Sequence, residues 1–244
     1  MVKIKNKHHL EILKELARKS RKISKKEREF VKRYMGTDKT YHALAAKDKE
    51  KITKKFLKDH SDLSPKEFIL LLNSLYQGKS HQEISMAGKL LEFSPKFKES
   101  FDIKLLNNWL NNTKGWGEVD SLCQSNFSAK NILESWEKWE SLLTKFSKDK
   151  NIHKRRASLV LLTKAVRQSS DKKLLKIALI SIERLKGEKD VLITKAVSWL
   201  LRSLVSKNKS LVRDYLEENK NSLPKIAVRE TENKIKTGKK SKIS

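Results

Sequence analysis

Apolar residues recur at spacings of three and four along nearly the whole chain. The stretch "HLEILKELARKS" carries Leu10, Ile12, Leu13 and Leu16 on one helical stripe. In "SPKEFILLLNSLYQG", Ser64 is placed as an N-cap and Pro65 as the first helical residue, with the helix stopping at Gly78. The same period continues through "HQEISMAGKLLEFS", "FDIKLLNNWLNNT", "EVDSLCQSNF", "AKNILESWEKWESLLTKFS", "IHKRRASLVLLTKAVRQS", "DKKLLKIALISIERLKG", "DVLITKAVSWLLRSLVSKN", "KSLVRDYLEENKN" and "LPKIAVRETENKIKTG". No segment alternates with the two-residue period of a strand. The pattern therefore predicts an all-α protein of about a dozen helices, each roughly 10 to 20 residues long. Short polar turns between them favour antiparallel helix pairs stacked as a solenoid-like array. The pairs share too little sequence to form an exact repeat, and a compact irregular bundle is the alternative.

Composition agrees and adds a partner. Hydrophobic residues make up 37% of the 244 and charged residues 35%, so apolar side chains must be confined to one stripe of each element. Three prolines and seven glycines are too few for a turn-rich sandwich. The expected organisation is a basic, partly helical N-terminal extension over 1–22, one repeat domain over 23–236 and a basic tail over 237–244. Residues 1 to 8 and 236 to 244 have little to bury and are expected to fray. Fifty-six Lys and Arg against 29 Asp and Glu leave a net charge of +27, which calls for a polyanion, nucleic acid first. Drift of exposed positions toward lysine is the bland alternative, but it does not explain the excess of base over acid. No stretch reaches the ~20 apolar residues of a membrane span, and no secretory leader is legible. A lone cysteine, Cys123, excludes an intrachain disulfide framework and a cysteine-based zinc site. A cytoplasmic protein, associated with the nucleoid through DNA, is expected.

Three segments hold residues suited to chemistry. In "KGWGEVDSL", Trp116 and Asp120 stand four apart and so share a helical face, an aromatic wall beside a carboxylate. A Trp at a helix start is commonly core, and an Asp in a first turn commonly answers the helix dipole. In "NIHKRRASLVLL", Lys154, Arg155 and Arg156 directly precede an apolar run, so at least one guanidinium lies near buried surface and needs a partner. In "ITKAVSWLLRSLVSKN", Lys195, Trp199 and Arg202 form a face of cation, ring and cation that suits a phosphate backbone.

Taken together, these segments resemble the DNA alkylation repair glycosylases of the AlkD-like superfamily, which are built from HEAT-like helix pairs. The resemblance runs from roughly residue 28 to 240. It rests on "WGEVDS", "IHKRRASLVLL" and "KAVSWLLRSLVSKNKSLVRDYLEENKNSLPKIAVRE" in that order. It implies a HEAT-like array with a concave basic groove, acting as a monomer on double-stranded DNA to excise purines made cationic by alkylation, such as 3-methyladenine and 7-methylguanine. By the same resemblance, Trp116 and Trp199 wall the lesion's deoxyribose and Asp120 is the catalytic carboxylate. Arg156 contacts the backbone near the lesion, and Lys195 and Arg202 add further backbone contacts, with Arg155 and Lys154 beside them. The superfamily is thought to act while the base stays stacked, rather than by flipping it into a pocket. This chain departs from the pattern at Gly115 and His153, where an aromatic is frequent, and at "YHALAAKDKE", which lacks the early glycine-containing turn.

The residue types fit the reaction independently. A cationic purine already leaves well, so what needs stabilising is positive charge growing on the sugar, and a carboxylate with electron-rich rings does that. An ionised Asp120 is required, which a nearby Arg156 would favour. Trp109, Trp136 and Trp139 read as core or core edge, and Cys123 as a small buried hydrophobe. The six histidines are scattered, and the adjacent His8 and His9 cannot share one helical face, so no metal is expected. No "GxxxxGK" or "GxGxxG" occurs, and no cofactor is expected. His153 reads as a solvated surface residue or a phosphate contact. Two other readings remain: a non-catalytic relative that binds branched or distorted DNA, and a protein-interaction solenoid. A carboxylate in a phosphate-binding groove argues against the pure binder, and steep salt dependence would exclude the solenoid.

Overall fold

The computed structural model describes residues 6–98 and 101–240. Among these residues there are fifteen α-helices and no strand, with β-type pairing confined to isolated bridges between Arg21 and Ala43 and between Thr40 and Ser80. The all-helical expectation holds, and neighbouring helices pack on one another as in a repeat array. The chain divides into two compact units, Met1–Leu122 and Cys123–Ser244.

The first unit contains α1 (Lys7–Lys19), α2 (Lys25–Met35), α3 (Ala46–Asp59), α4 (Pro65–Tyr76), α5 (His81–Glu92), α6 (Pro95–Lys98) and α7 (Leu105–Asn111), and all but the last residue of α8 (Gly115–Cys123). Helices α1 and α5 each pack on both α3 and α4, around Leu71, Leu72, Leu75, Ile84 and Leu90, all fully buried. The starts are fixed by reciprocal capping: Ser24 with Glu27, Ser64 with Glu67 and Ser80 with Glu83 each satisfy two otherwise orphaned donors. Pro65 is the first helical residue, as its fixed φ suits. The "FDIKLLNNWLNNT" pattern yields helix only from Leu105 to Asn111.

Residues 6–8 do not fray. The Asn6 side chain caps α1, accepting from the backbone N–H groups of His8 and His9. His9 is 1% exposed, with Nδ1 2.7 Å from Ser74 Oγ and Nε2 2.9 Å from Glu83 Oε1. This buried pair ties α1 to α4 and α5, a contact that basic composition alone conceals. The rest of the predicted N-terminal fray, residues 1–5, and the end of the C-terminal tail, residues 241–244, lie outside the described residues.

The second unit contains α9 (Ala129–Glu134), α10 (Trp136–Ser147), α11 (Ile152–Gln168), α12 (Lys172–Leu185), α13 (Val191–Leu204), α14 (Lys209–Asn219) and α15 (Lys225–Thr237). Its helices alternate between two layers. One holds α11, α13 and α15 side by side, and α10 packs on α12 in the other. Lys186, the residue that ends α12, donates to Asn219 of α14 at 2.7 Å, and Tyr215 of α14 donates its hydroxyl to Glu183 of α12. That hydrogen bond and burial push the Tyr215 phenol well above its usual range, with burial the larger cause. Asn151, Asp171 and Asp190 cap α11, α12 and α13. Helix α11 contacts α9, α10, α12 and α13, which is why its apolar run is so nearly continuous.

Trp109 and Trp139 are core residues at 2% exposure, Cys123 is fully buried, and Trp136 sits half-buried under the Lys173 ammonium. Among the described residues no helix is long and apolar enough to cross a membrane.

Candidate functional site

Helix α8 is placed by close backbone contacts. Gly115 opens it at φ +68°, and a Cβ there would lie 1.9 Å from the Met35 carbonyl oxygen. No L side chain fits, so the aromatic frequent at this position in the resembled pattern is excluded by the end of α2. Toward the other end, a Cβ on Gly88 of α5 would lie 2.3 Å from the Ser121 carbonyl oxygen.

Between these contacts Glu118 is fully buried. Its Oε2 accepts the Lys114 N–H at 2.8 Å, and its Oε1 accepts the Thr37 hydroxyl at 3.3 Å. His81 Nδ1 stands 3.4 Å from the same Oε1. Glu118 therefore fixes the rotation of α8, because turning the helix would strip a buried carboxylate of its partners.

That rotation leaves Trp116 half-buried, its Nε1 donating to the Tyr34 carbonyl oxygen at 2.8 Å. The indole meets the Tyr34 ring edge-to-face at 5.5 Å, and Tyr34 stacks nearly parallel on Phe30 at 5.7 Å. Phe30 and Tyr34 are 54% and 56% exposed, so the three rings form an aromatic surface on the first unit. Asp120, one turn beyond Trp116, is 8% exposed. A half-buried indole one turn before an enclosed carboxylate is a combination of residue types that suits positive charge.

In the second unit the basic segment opening α11 is absorbed by local partners. Arg155 grips Glu188 with Nε and Nη2 at 2.7 and 3.0 Å, and Nη1 donates to the carbonyls of Asp149 and Lys150. Lys154 is 6% exposed, with Nζ 3.5 Å from Asp149. Arg156, at 4%, is the guanidinium nearest the core and donates to the Leu192 carbonyl oxygen at 2.5 Å, joining α11 to the first turn of α13. His153 is half-buried in the first turn of α11, not a solvated surface residue.

On α13, Lys195 is exposed and Trp199 half-buried. Arg202 lies 3.3 Å from Glu230 of α15 and 3.4 Å from Ser198. Burial lowers the Arg202 pKa and the Glu230 charge opposes that shift. Of the cation, ring and cation expected here, Lys195 and the indole edge reach solvent, and Arg202 is tied to α15. Trp116 and Trp199 thus differ from Trp109 and Trp139: each keeps part of its ring surface out of the core.

Residues 12–235 match the family described as DNA alkylation repair enzyme. The chain belongs to that family. Among solved structures it resembles a "Predicted DNA alkylation repair enzyme from Enterococcus faecalis", with a TM-score of 0.66 at 17% identity over 85% of this chain and 94% of that one. At that identity the likeness speaks for the fold. No curated protein matches the chain.

In this DNA alkylation repair family member, sequence reasoning missed Phe30, Tyr34 and Glu118. A usable signal existed for the first two: aromatics four apart in "KKEREFVKRYM", a helix with no buried residue, have no core to enter. Glu118 carried none, since its partners Thr37 and His81 are far away in the chain.

Proposed function

We propose that this protein is a DNA glycosylase of the AlkD-like type. It removes purines made cationic by alkylation, of the 3-methyladenine and 7-methylguanine kind, from duplex DNA in base excision repair. The observation that carries the reading is α8, a partly exposed indole one turn before a nearly buried carboxylate, in a chain of net charge +27. The two-layered order of the second unit supports assigning HEAT-like helix pairs.

In this reading Trp116 and Trp199 lie against the lesion's deoxyribose and Asp120 faces its anomeric carbon. The C1′–N bond breaks, and the purine departs with the bonding electrons as a neutral base. Ring faces and carboxylate stabilise the oxocarbenium-like sugar. Water then attacks C1′ and its proton passes to Asp120 and on to solvent, leaving an abasic site. Because the base leaves neutral, no general acid and no cofactor is called for. Arg156, Lys195 and Arg202 are assigned to phosphates. Arg155 and Lys154 hold the turn before α11 and add to the attractive field. The protein acts as a monomer in the cytoplasm, associated with DNA.

The test is base release from methylated duplex. Wild-type protein frees 3-methyladenine or 7-methylguanine, and Asp120→Asn lowers the rate by on the order of 10²–10³. Duplex affinity is kept or improved in the variant, because carboxylate–phosphate repulsion is gone. Release unaffected by the substitution removes Asp120 from the mechanism. No release, with tighter binding to junction than to methylated duplex, replaces the enzyme by a DNA-binding protein.

A further inference from the structure

Away from α8, the start of α1 meets the end of α3 in a cluster with a different chemistry. His8 and Glu11 lie three apart on α1, and His60 is the residue that ends α3, its N–H bonded to the Phe56 carbonyl oxygen. Glu11 receives His60 Nε2 at 2.8 Å on Oε2 and 3.0 Å on Oε1, and His8 Nδ1 stands 3.8 Å from Oε2. One ligand-capable atom from each residue lies within 4.8 Å of the other two.

We propose that His8, Glu11 and His60 form a binding site for a divalent transition cation of the zinc class. Two imidazole nitrogens and a carboxylate oxygen are the donors that zinc prefers, with a fourth position left to water. Zinc–ligand bonds of about 2.0–2.2 Å place tetrahedral donors roughly 3.3–3.6 Å apart, so the observed separations need movements of about an ångström. The surroundings suit such a site. His8 is 8% exposed, the His8 and His60 rings meet edge-to-face at 4.6 Å, and Phe56 packs against both, forming a dry wall. Glu11 opens the other side to solvent, its side chain 44% exposed, next to a cleft it shares with Glu15, Lys55 and Asp59.

Local charge favours a cation despite the basic chain. Glu15 is matched by Arg18 and Asp59 by Lys55, whereas the hydrogen-bond and ion-pair partners of Glu11 among the described residues are the two imidazoles. Each imidazole can present a lone pair here in place of an N–H, and a single divalent ion then engages both rings and the carboxylate together. The bound ion would cross-link the first helix to α3 and stabilise the first unit. This proposal is independent of the glycosylase reading.

The experiment uses the full chain, free of any histidine tag and stripped of metal, titrated with Zn²⁺ against a chromophoric indicator and with Co²⁺ as a spectroscopic substitute. The expected result is one ion per chain, visible-region Co²⁺ absorption of four-coordinate intensity, and a melting temperature that rises with Zn²⁺ and falls back with chelator. His60→Asn and Glu11→Gln each weaken binding by about 10–100-fold or more and abolish the thermal shift. His42→Asn, outside the cluster, leaves binding unchanged. Circular dichroism of the metal-free variants checks that they remain helical, and Glu11, the most exposed member, is the substitution least able to disturb the fold. Failure of wild-type protein to bind one equivalent, or binding undiminished in both variants, overturns the proposal.

Discussion

Among the described residues, the acidic side chains that reach the interior belong to the first unit, where Glu83, Glu118 and Asp120 are 3%, 0% and 8% exposed. The lysine and arginine side chains buried to the same degree, Lys154 and Arg156 at 6% and 4%, belong to the second. The two units bury charge of opposite sign, and by different means. In the first, Glu83 and Glu118 are held by backbone N–H groups, hydroxyls and histidines. In the second, cations are held by backbone carbonyls and by acids such as Asp149. Glu118, held by the Thr37 hydroxyl and the Lys114 N–H, keeps a fixed position and with it fixes the orientation of α8. The cations of the second unit tie helices together through these partners, and exposed lysines such as Lys195 add to the positive field.

This contrast can be broken experimentally, most severely at the turn that seats α8. Gly115→Ala forces a Cβ onto the Met35 carbonyl at a left-handed position, and we expect a loss of at least ~1–3 kcal/mol. On the proposed reading base release collapses in parallel, and urea denaturation of the purified variant measures the first effect. Next comes the cage itself. Glu118→Ala leaves the Thr37 hydroxyl and Lys114 N–H without their acceptor, at a cost of about 1–3 kcal/mol, and on the proposed reading lowers base release by letting α8 turn.

The third effect has the opposite sign. Lys49 is a cation in the acid-burying unit, with a neutral partner, Ser85 Oγ at 2.7 Å. Burial, with a smaller contribution from Lys89, pushes its pKa down to about 8 from 10.5. Below pH 8 both folded and unfolded chains carry the proton, so the destabilisation is fully present at neutral pH. Between about 8 and 10.5 the unfolded chain binds more protons, and stability rises with pH. Lys49→Met should therefore stabilise the protein at pH 7 by on the order of 1–3 kcal/mol. The gain should shrink toward zero as the pH of the melts approaches 10.5. The smallest change concerns Lys195, exposed on α13. Lys195→Ala should leave stability within ~0.5 kcal/mol and reduce the salt dependence of duplex binding by about one counterion.

The helical architecture was legible because apolar spacing and start signals agree at most elements: Ser64 followed by Pro65 places α4 correctly, and the apolar run after Arg156 belongs to the most enclosed helix. Trp109 and Trp139 were also readable as core, while Trp116, Trp136 and Trp199 are all half-buried. What escaped was set by distance along the chain. Glu118 meets Thr37, and His9 meets Glu83, with nothing in either local pattern to announce it. The His8–Glu11–His60 cluster was hidden for the same reason: two adjacent histidines cannot share a helical face, but one of them can meet a third that closes another helix. Gly115 looked like a departure from pattern and is instead a steric requirement of the turn.

Helix α8 has only nine residues, too few to persist in water alone. Seated against the Met35 carbonyl at its start and against Gly88 near its end, it is expected to unfold together with the first unit. Its amides should exchange with deuterium only when that unit opens as a whole. Heat should consequently unfold α8 and the rest of the first unit in one step, with no interval in which the aromatic surface outlasts the helix beside it.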